Sequence, residues 1–346
     1  MKRIILLAAS AMAILAGCTR TEIRSIADEP QQITFRTIET KAAGDFDKGN
    51  KFISYAWFLE KDKTWDANSA DGQAYISGAQ IAFDNDANAW KASGKTYYWP
   101  KQGSLTFFAW TDYTDAPEPT LAGCAKDKGI TFTAYSAFDH KNKDLLVADI
   151  AKDMDGKNNL TTHPGWQSGV PTVFHHVLSN LVFTIKTDGD YSAGATYSLN
   201  SITLKNISTK GDYAQGSPAA TADADVWTGH ADPKEVPVFT AGAAGQSITS
   251  TLTKLTPSTT DFSIVLPQKF TNATPVIEIV YTITTNYTRT AVMETVTETK
   301  PLKDIYTEGW VSGKKYTLNI KLSLNEIYWD PSIEGWEDGA VTDIPF

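Results

Sequence analysis

"YTLNIKLSL", residues 316–324, alternates apolar and polar side chains without a fault. A period of two puts Tyr316, Leu318, Ile320, Leu322 and Leu324 on one face of a strand and Thr317, Asn319, Lys321 and Ser323 on the other. That is the pattern of a sheet with one buried and one wet face; a helix would scatter the leucines around its surface. Comparable runs are "FISYAWFLE" from Phe52, "LTFFAW" from Leu105, "DLLVADI" from Asp144, "LVFTIKT" from Leu181, "SITLKNI" from Ser201, "FSIVLP" from Phe262 and "VIEIVYTI" from Val276. Between them lie loops such as "DYTDAPEPTLAGCAKDKG" and "KDMDGKNNLTTHPGWQSG". Helical periodicity is nearly absent. Short strands joined by long loops specify an all-β chain built of sandwiches.

The longest polar interruption, Ala151 to Gly169, divides the strand runs into two similar groups. An N-terminal β-sandwich domain is therefore expected over 32–160 and a C-terminal one over 161–346. A second stretch rich in Gly, Ser and Thr, from Thr240 to Thr260, is an excursion within the second domain, because too few strands follow it to build another.

The N-terminus has a separate logic. Lys2 and Arg3 precede an apolar run from Ile4 to Ile14, followed by the small residues Ala16 and Gly17. A membrane-spanning helix takes about 20 such residues, so residues 1–17 read as an export signal. Leu15-Ala16-Gly17-Cys18 resembles the bacterial lipobox, in which the thiol is acylated and the signal is cut ahead of it, here between Gly17 and Cys18. Each buried methylene of a palmitate-like chain contributes roughly 0.8 kcal/mol, and two or more chains anchor durably. Residues 18–31, polar, without period and containing Pro30, form the tether.

The counts of 31 basic and 40 acidic residues give a formal charge of −9. No basic run is long enough to follow a phosphate backbone, which argues against a nucleic-acid partner. Cys18 and Cys124 are the only cysteines. With Cys18 acylated no internal disulfide is left, so stability rests on packed core. Cys124, in "LAGCAKDKG", has no activating neighbour and reads as a plain loop thiol.

Clusters that resemble catalytic or ligand-binding motifs are incomplete. "ASGKTYYWP" carries Gly94-Lys95-Thr96, the end of a phosphate-binding loop, but Ala89 stands where the first glycine belongs and an aromatic strand follows in place of a helix. "DNDAN" from Asp84 begins like a calcium loop, yet Ala89 replaces the turn glycine and Lys95 the bidentate carboxylate. His175 and His176 are adjacent, so on a strand they point to opposite faces and cannot bite one metal together. His163 would have to join one of them across a loop. No enzyme activity, metal or cofactor is expected; the one catalytic route left open is a hydrolytic site assembled from distant His and acidic residues.

Of ten tryptophans and fourteen tyrosines, Trp57, Tyr98, Trp99 and Trp110 sit in strand patterns and read as core. Trp65, Trp90, Trp166 and Trp227 fall in loop-like contexts and are the residues a sugar-stacking surface would use.

Taken in order, "LAGC" at 15, "ITFRT" at 33, "YYWP" at 97, "LTFFAW" at 105, "DLLVA" at 144, "VFHHVLSNLVF" at 173, "ITLKNI" at 202, "LPQ" at 266, "WVSGKKYTLNIKL" at 310 and "IEGWEDG" at 333 resemble the fimbrillin family of Bacteroidetes, the subunits of type V pili. The resemblance spans nearly the whole chain. It implies two transthyretin-like β-sandwich domains in tandem, export as an outer-membrane lipoprotein, and assembly into surface fimbriae that serve adhesion and biofilm formation. It also implies that a surface protease removes the lipidated segment with the first strand, leaving a groove that a neighbour's strand fills. An unpaired sheet edge does recruit a strand on physical grounds alone.

In this sequence the removable strand is "QITFRTIET" from Gln32, with Ile33 and Phe35 inward and Thr34 and Arg36 outward. Two such side chains are worth about 1.5–3 kcal/mol each on burial. Family processing follows arginine, but Arg36 lies inside the strand and a cut at Arg24 would leave the strand in place. Lys41, in "ETKAAGD", stands just past it among small residues and is the expected maturation site. The C-terminal Ile344 and Phe346 share one face as candidate donor anchors, although Pro345 removes an amide. Partners are other fimbrial subunits, with host or bacterial surface glycans or proteins as further ligands. The alternatives are a monomeric surface lipoprotein that binds glycans and a fimbrial anchor that keeps its lipid and first strand.

Overall fold

The computed structural model describes residues 30–37, 46–156, 169–216, 227–286, 290–323 and 327–336. In chain order the strands of the first half are β1 (Phe35–Thr37), β2 (Phe52–Leu59), β3 (Gln73–Asp84), β4 (Ala89–Ala92), β5 (Ser104–Thr111), β6 (Gly123–Ala125), β7 (Gly129–Ser136), β8 (Leu146–Ala148), β9 (Ala151–Met154), β10 (Val170–Thr172) and β11 (Phe174–His176). There follow β12 (Ser179–Thr187), β13 (Ala195–Ala214), β14 (Trp227–Thr240), β15 (Gln246–Ile248), β16 (Thr253–Lys254), β17 (Ile264–Val265), β18 (Val276–Thr285), β19 (Val292–Pro301), β20 (Lys314–Leu322) and β21 (Ile327–Gly335). A single α-helical turn, α1 (Trp65–Asn68), interrupts them. The expected all-β class with two β-sandwich domains in tandem is what the structure shows, and the alternating stretch at 316–324 falls in β20, which runs from Lys314 to Leu322 with Tyr316, Leu318, Ile320 and Leu322 buried.

The first sheet has the order β10-β1-β4-β3-β2-β5-β8-β11, with β9 on β5. Its two end strands, β10 and β11, are separated only by Val173, whose carbonyl accepts Asp149 N at 2.8 Å. The sheet therefore curls until its ends meet. Closure explains why β5 is buried on both faces, as an unbroken run "LTFFAW" requires. Ile33, Phe35, Phe52, Ala56, Leu105 and Phe107 fill the inside. The alternate residues Ile53, Leu59, Phe108 and Trp110 point outward and pack on Ile130, Phe132, Tyr135, Tyr213 and Trp227.

Those partners belong to the second sheet, β19-β18-β13-β7-β6, on which β14 and β15 pair with β13. The third sheet, β16-β12-β20-β21 with β17 on β12, covers the other side of a C-terminal core that holds Leu181, Phe183, Leu199, Ile202, Ile277, Leu318 and Ile320. β12 and β20 run parallel, from Asn180 opposite Lys315 to Thr187 opposite Leu322. β13 joins the halves: β18 and then β7 pair along one of its sides, β15 and β14 along the other. Strands on both sides of residue 160 change places, since β6 and β7 enter the second sheet while β10 and β11 complete the first. The stretch from Thr240 to Thr260 contributes β15 and β16, and is pinned by the buried Asp261, which accepts Thr240 N at 2.9 Å, Thr240 Oγ1 at 2.8 Å and Ser258 N at 2.8 Å.

Candidate functional site

β1 sits between β10, which it meets in parallel, and β4, which it meets antiparallel through Phe35 and Trp90. The residues ahead of it lie in the same slot: Trp99 N donates to Gln31 O at 2.9 Å, Ile33 N to Tyr97 O at 2.8 Å, and Val170 N to Thr34 O at 2.8 Å. Only three residues of β1 are paired with β10, and Pro171, opposite Arg36, turns its missing amide away from β1, so the ladder between the two strands is short. Side chains hold this strand. Ile33 and Phe35 are each 2% exposed, while Arg36 faces solvent. At about 1.5–3 kcal/mol apiece, the two outweigh a few backbone bonds at about 0.5–1.5 kcal/mol each.

The floor of the slot is aromatic. Phe35 meets Phe52 and Phe107 edge to face, with centroids 5.6 and 5.7 Å apart, a preferred geometry for ring pairs. Phe46 stacks on Phe174 at 5.1 Å and meets Trp90 edge-on at 5.3 Å. Segment 38–45 is thus bracketed by two anchors, Phe35 before it and Phe46 after. Gly169, at φ +130°, lies against the backbone of β1, and a Cβ there would stand 2.8 Å from both the carbonyl carbon and oxygen of Thr34. Gly169, Phe46 and Phe174 carry no local signature of this role in the sequence beyond a glycine ahead of the apolar "VPTVF".

Beside the slot, on β11, the two histidines do face opposite ways. His175 Nε2 lies 3.1 Å from Asp149 Oδ1 at the surface. The hydrogen bond to Asp149, outweighing partial burial, holds the His175 imidazolium above its ordinary range. What stability this pair supplies is complete below the unfolded pKa of about 6.5 and is lost as pH rises through the folded value. Asp149→Asn should return the His175 titration, followed by NMR, toward the ordinary range. His176 is enclosed, with Nδ1 2.6 Å from Asp144 Oδ2 and its ring stacked on Trp336 at 4.0 Å. Among the described residues no three His, Cys, Asp or Glu side chains are grouped to hold an ion.

Three tryptophans expected at a ligand surface are instead buried. Trp65 packs edge-on to Phe108 at 5.6 Å, Trp90 lines the β1 slot, and Trp227 donates Nε1 to Val177 O at 2.7 Å while packing on Tyr213. Each lies in a strand or helix too short or too polar to show a period, which made it look like loop. Asp84 closes the β3–β4 turn, its Oδ1 accepting Ala87 N at 2.8 Å and its Oδ2 pairing with Lys91 at 2.6 Å. Burial pushes the Cys124 thiol up to about 12, which leaves it unreactive. Gly17, Cys18, Arg24, Lys41, His163, Trp166, Ile344 and Phe346 lie outside the described residues. No helix among the described residues is long and apolar enough to cross a membrane.

The fold is shared with a solved structure. A fimbrial protein from Bacteroides vulgatus superimposes with a TM-score of 0.63 over 88% of this chain and 99% of its own, at 16% sequence identity. A C-terminally truncated tip fimbrial protein from Porphyromonas gingivalis matches at 15% identity over 85% of this chain and 97% of its own, with a TM-score of 0.36. No curated protein matches the chain. A family model described as fimbrillin-like matches residues 40–336, so the curled first sheet, the strand lodged in its seam and the sandwich that follows are the work of a chain that belongs to the fimbrillin-like family.

Proposed function

We propose that the chain is a non-enzymatic structural and adhesive subunit of cell-surface fimbriae, exported as an outer-membrane lipoprotein on Cys18 and joined to its neighbours by donor-strand exchange. The observation that carries this is the lodging of β1: a short strand whose inward residues are buried in an aromatic slot and whose backbone is thinly bonded. Such a segment is replaceable by another with two apolar residues at the same spacing. Lys41 falls between the Phe35 and Phe46 anchors, so a cut there frees the strand and leaves the downstream chain seated; a cut at Arg36 falls within β1 itself. The N-terminal domain, 32–160, carries this acceptor slot with β10 completing its wall, and Ile344 and Phe346 of the C-terminal domain, 161–346, are the donor candidates. The same fold fits an anchor that keeps β1 and its lipid.

Intact mass and N-terminal sequencing decide between them, applied to protein from the native outer membrane and from sheared surface material. The expected result is an N-terminus at Ala42 within a denaturation-resistant ladder. An acylated Cys18 throughout, with monomer alone, would refute strand removal and leave the anchor or a stand-alone glycan-binding lipoprotein.

A further inference from the structure

β19 ends the second sheet. It pairs with β18 along its whole length, from Val276 opposite Pro301 to Thr285 opposite Val292, with no shift of register, and no strand among the described residues lies on its other side. Both of its faces meet solvent, Met293 being 73% and Val292 54% exposed. Long regular edges are normally blunted by lysine, proline or a bulge. Here the lone lysine and proline, Lys300 and Pro301, come only at the end.

The ladder shows which groups the edge presents. Leu302, directly after β19, donates its N–H to Pro275 O at 2.9 Å, on the side of β18. Inward and outward amides alternate along an antiparallel strand. Even-numbered residues of β19 therefore bond β18, and Met293, Thr295, Thr297 and Thr299 turn N–H and C=O to the open side. A strand added antiparallel there must set outward residues against outward residues.

For β19 of a second copy, the charges choose the register. With Val296 on the twofold axis, Glu294 faces Glu298 of the second copy at two places, and like charges directly opposite are unfavourable. With Thr297 on the axis, Glu294 faces Lys300 of the second copy at two places, in the closer non-hydrogen-bonded positions. Thr295 then faces Thr299, also twice, and Thr297 faces itself, which are favourable cross-strand pairs. Matching Glu298 to Lys300 would shorten the overlap to Thr297–Pro301. We propose that β19 is an interface at which two copies of this chain pair edge to edge, antiparallel and centred on Thr297. It uses no residue of the β1 slot and does not depend on strand exchange. One strand pair buries little surface, so isolated copies associate weakly; a polymer that displays many such edges gains by avidity.

Sedimentation velocity of the full chain over a range of concentration and salt tests this. The expected result is a dimer that grows with concentration and recedes with salt. Glu294→Lys and Lys300→Glu should each weaken it by roughly tenfold or more, and the double variant, which restores both pairs with their signs exchanged, should recover it to within a few-fold. A chain monomeric at every concentration, single reversals that leave the dimer intact, or a double variant no better than the singles would overturn the proposal.

Discussion

Phe35→Ala, followed by chemical denaturation, is expected to lower the stability of the first domain by about 3–5 kcal/mol. The ring is 2% exposed and wedged between Phe52 and Phe107. Those neighbours are fixed by the β2 and β5 ladders, so the space left by the ring stays open, and an uncollapsed cavity puts the cost at the high end of large-to-small substitutions. Ile33→Val, in the same slot, removes one methylene and should cost about 0.5–1.5 kcal/mol. The contrast bears on assembly as well. A peptide spanning residues 30–40 should refill the slot of protein cut after Lys41, and the same peptide with alanine at position 35 should not. A loss under about 1 kcal/mol for Phe35→Ala would mean that β1 contributes little to the fold.

Gly169→Ala should unseat β1 without touching any of its residues. At φ +130° a Cβ is strained and would press on the carbonyl of Thr34 at 2.8 Å. The strain alone is worth about 1–3 kcal/mol, and because the obstacle is backbone on both sides, relief comes by moving β1 out. The hydrogen bond from Val170 N to Thr34 O is the first casualty. Hydrogen exchange at the amides of Ile33 and Val170 should accelerate on the order of a hundredfold, while amides in β12 and β20 keep their protection. Proteolysis at Lys41 should accelerate with it. Unchanged protection at Ile33 would show that the slot tolerates the methyl group and that β1 is held by more than this contact.

Most of the strands are legible in the sequence, because a half-buried sheet writes its period directly: Tyr316 to Leu322, Leu181 to Thr187 and Val276 to Ile283 all pack as their alternation requires. β14 is not legible. Its fourteen residues include Pro233 and Pro237 and three interruptions of register against β13, so no regular alternation survives. β19 is exposed on both faces and therefore has no apolar side to reveal it. The inward set of the β1 slot, Ile33 and Phe35, follows from a four-residue pattern. Its walls do not, since β10 comes from more than a hundred residues downstream and the pairing of Phe35 with Val170 has no local signature. The tryptophans mislead for a related reason: Trp90 sits in a four-residue strand, too short to display any period.

β13 continues unbroken for twenty residues, flanked on both sides by ladders that reach into each core. One strand therefore belongs to the packing of both halves. Tension applied along β13 would meet neighbours that must slip past it with many hydrogen bonds breaking at once, in shear, instead of opening singly as a zipper does. A fold built around such a strand resists stretching along it far better than peeling across it.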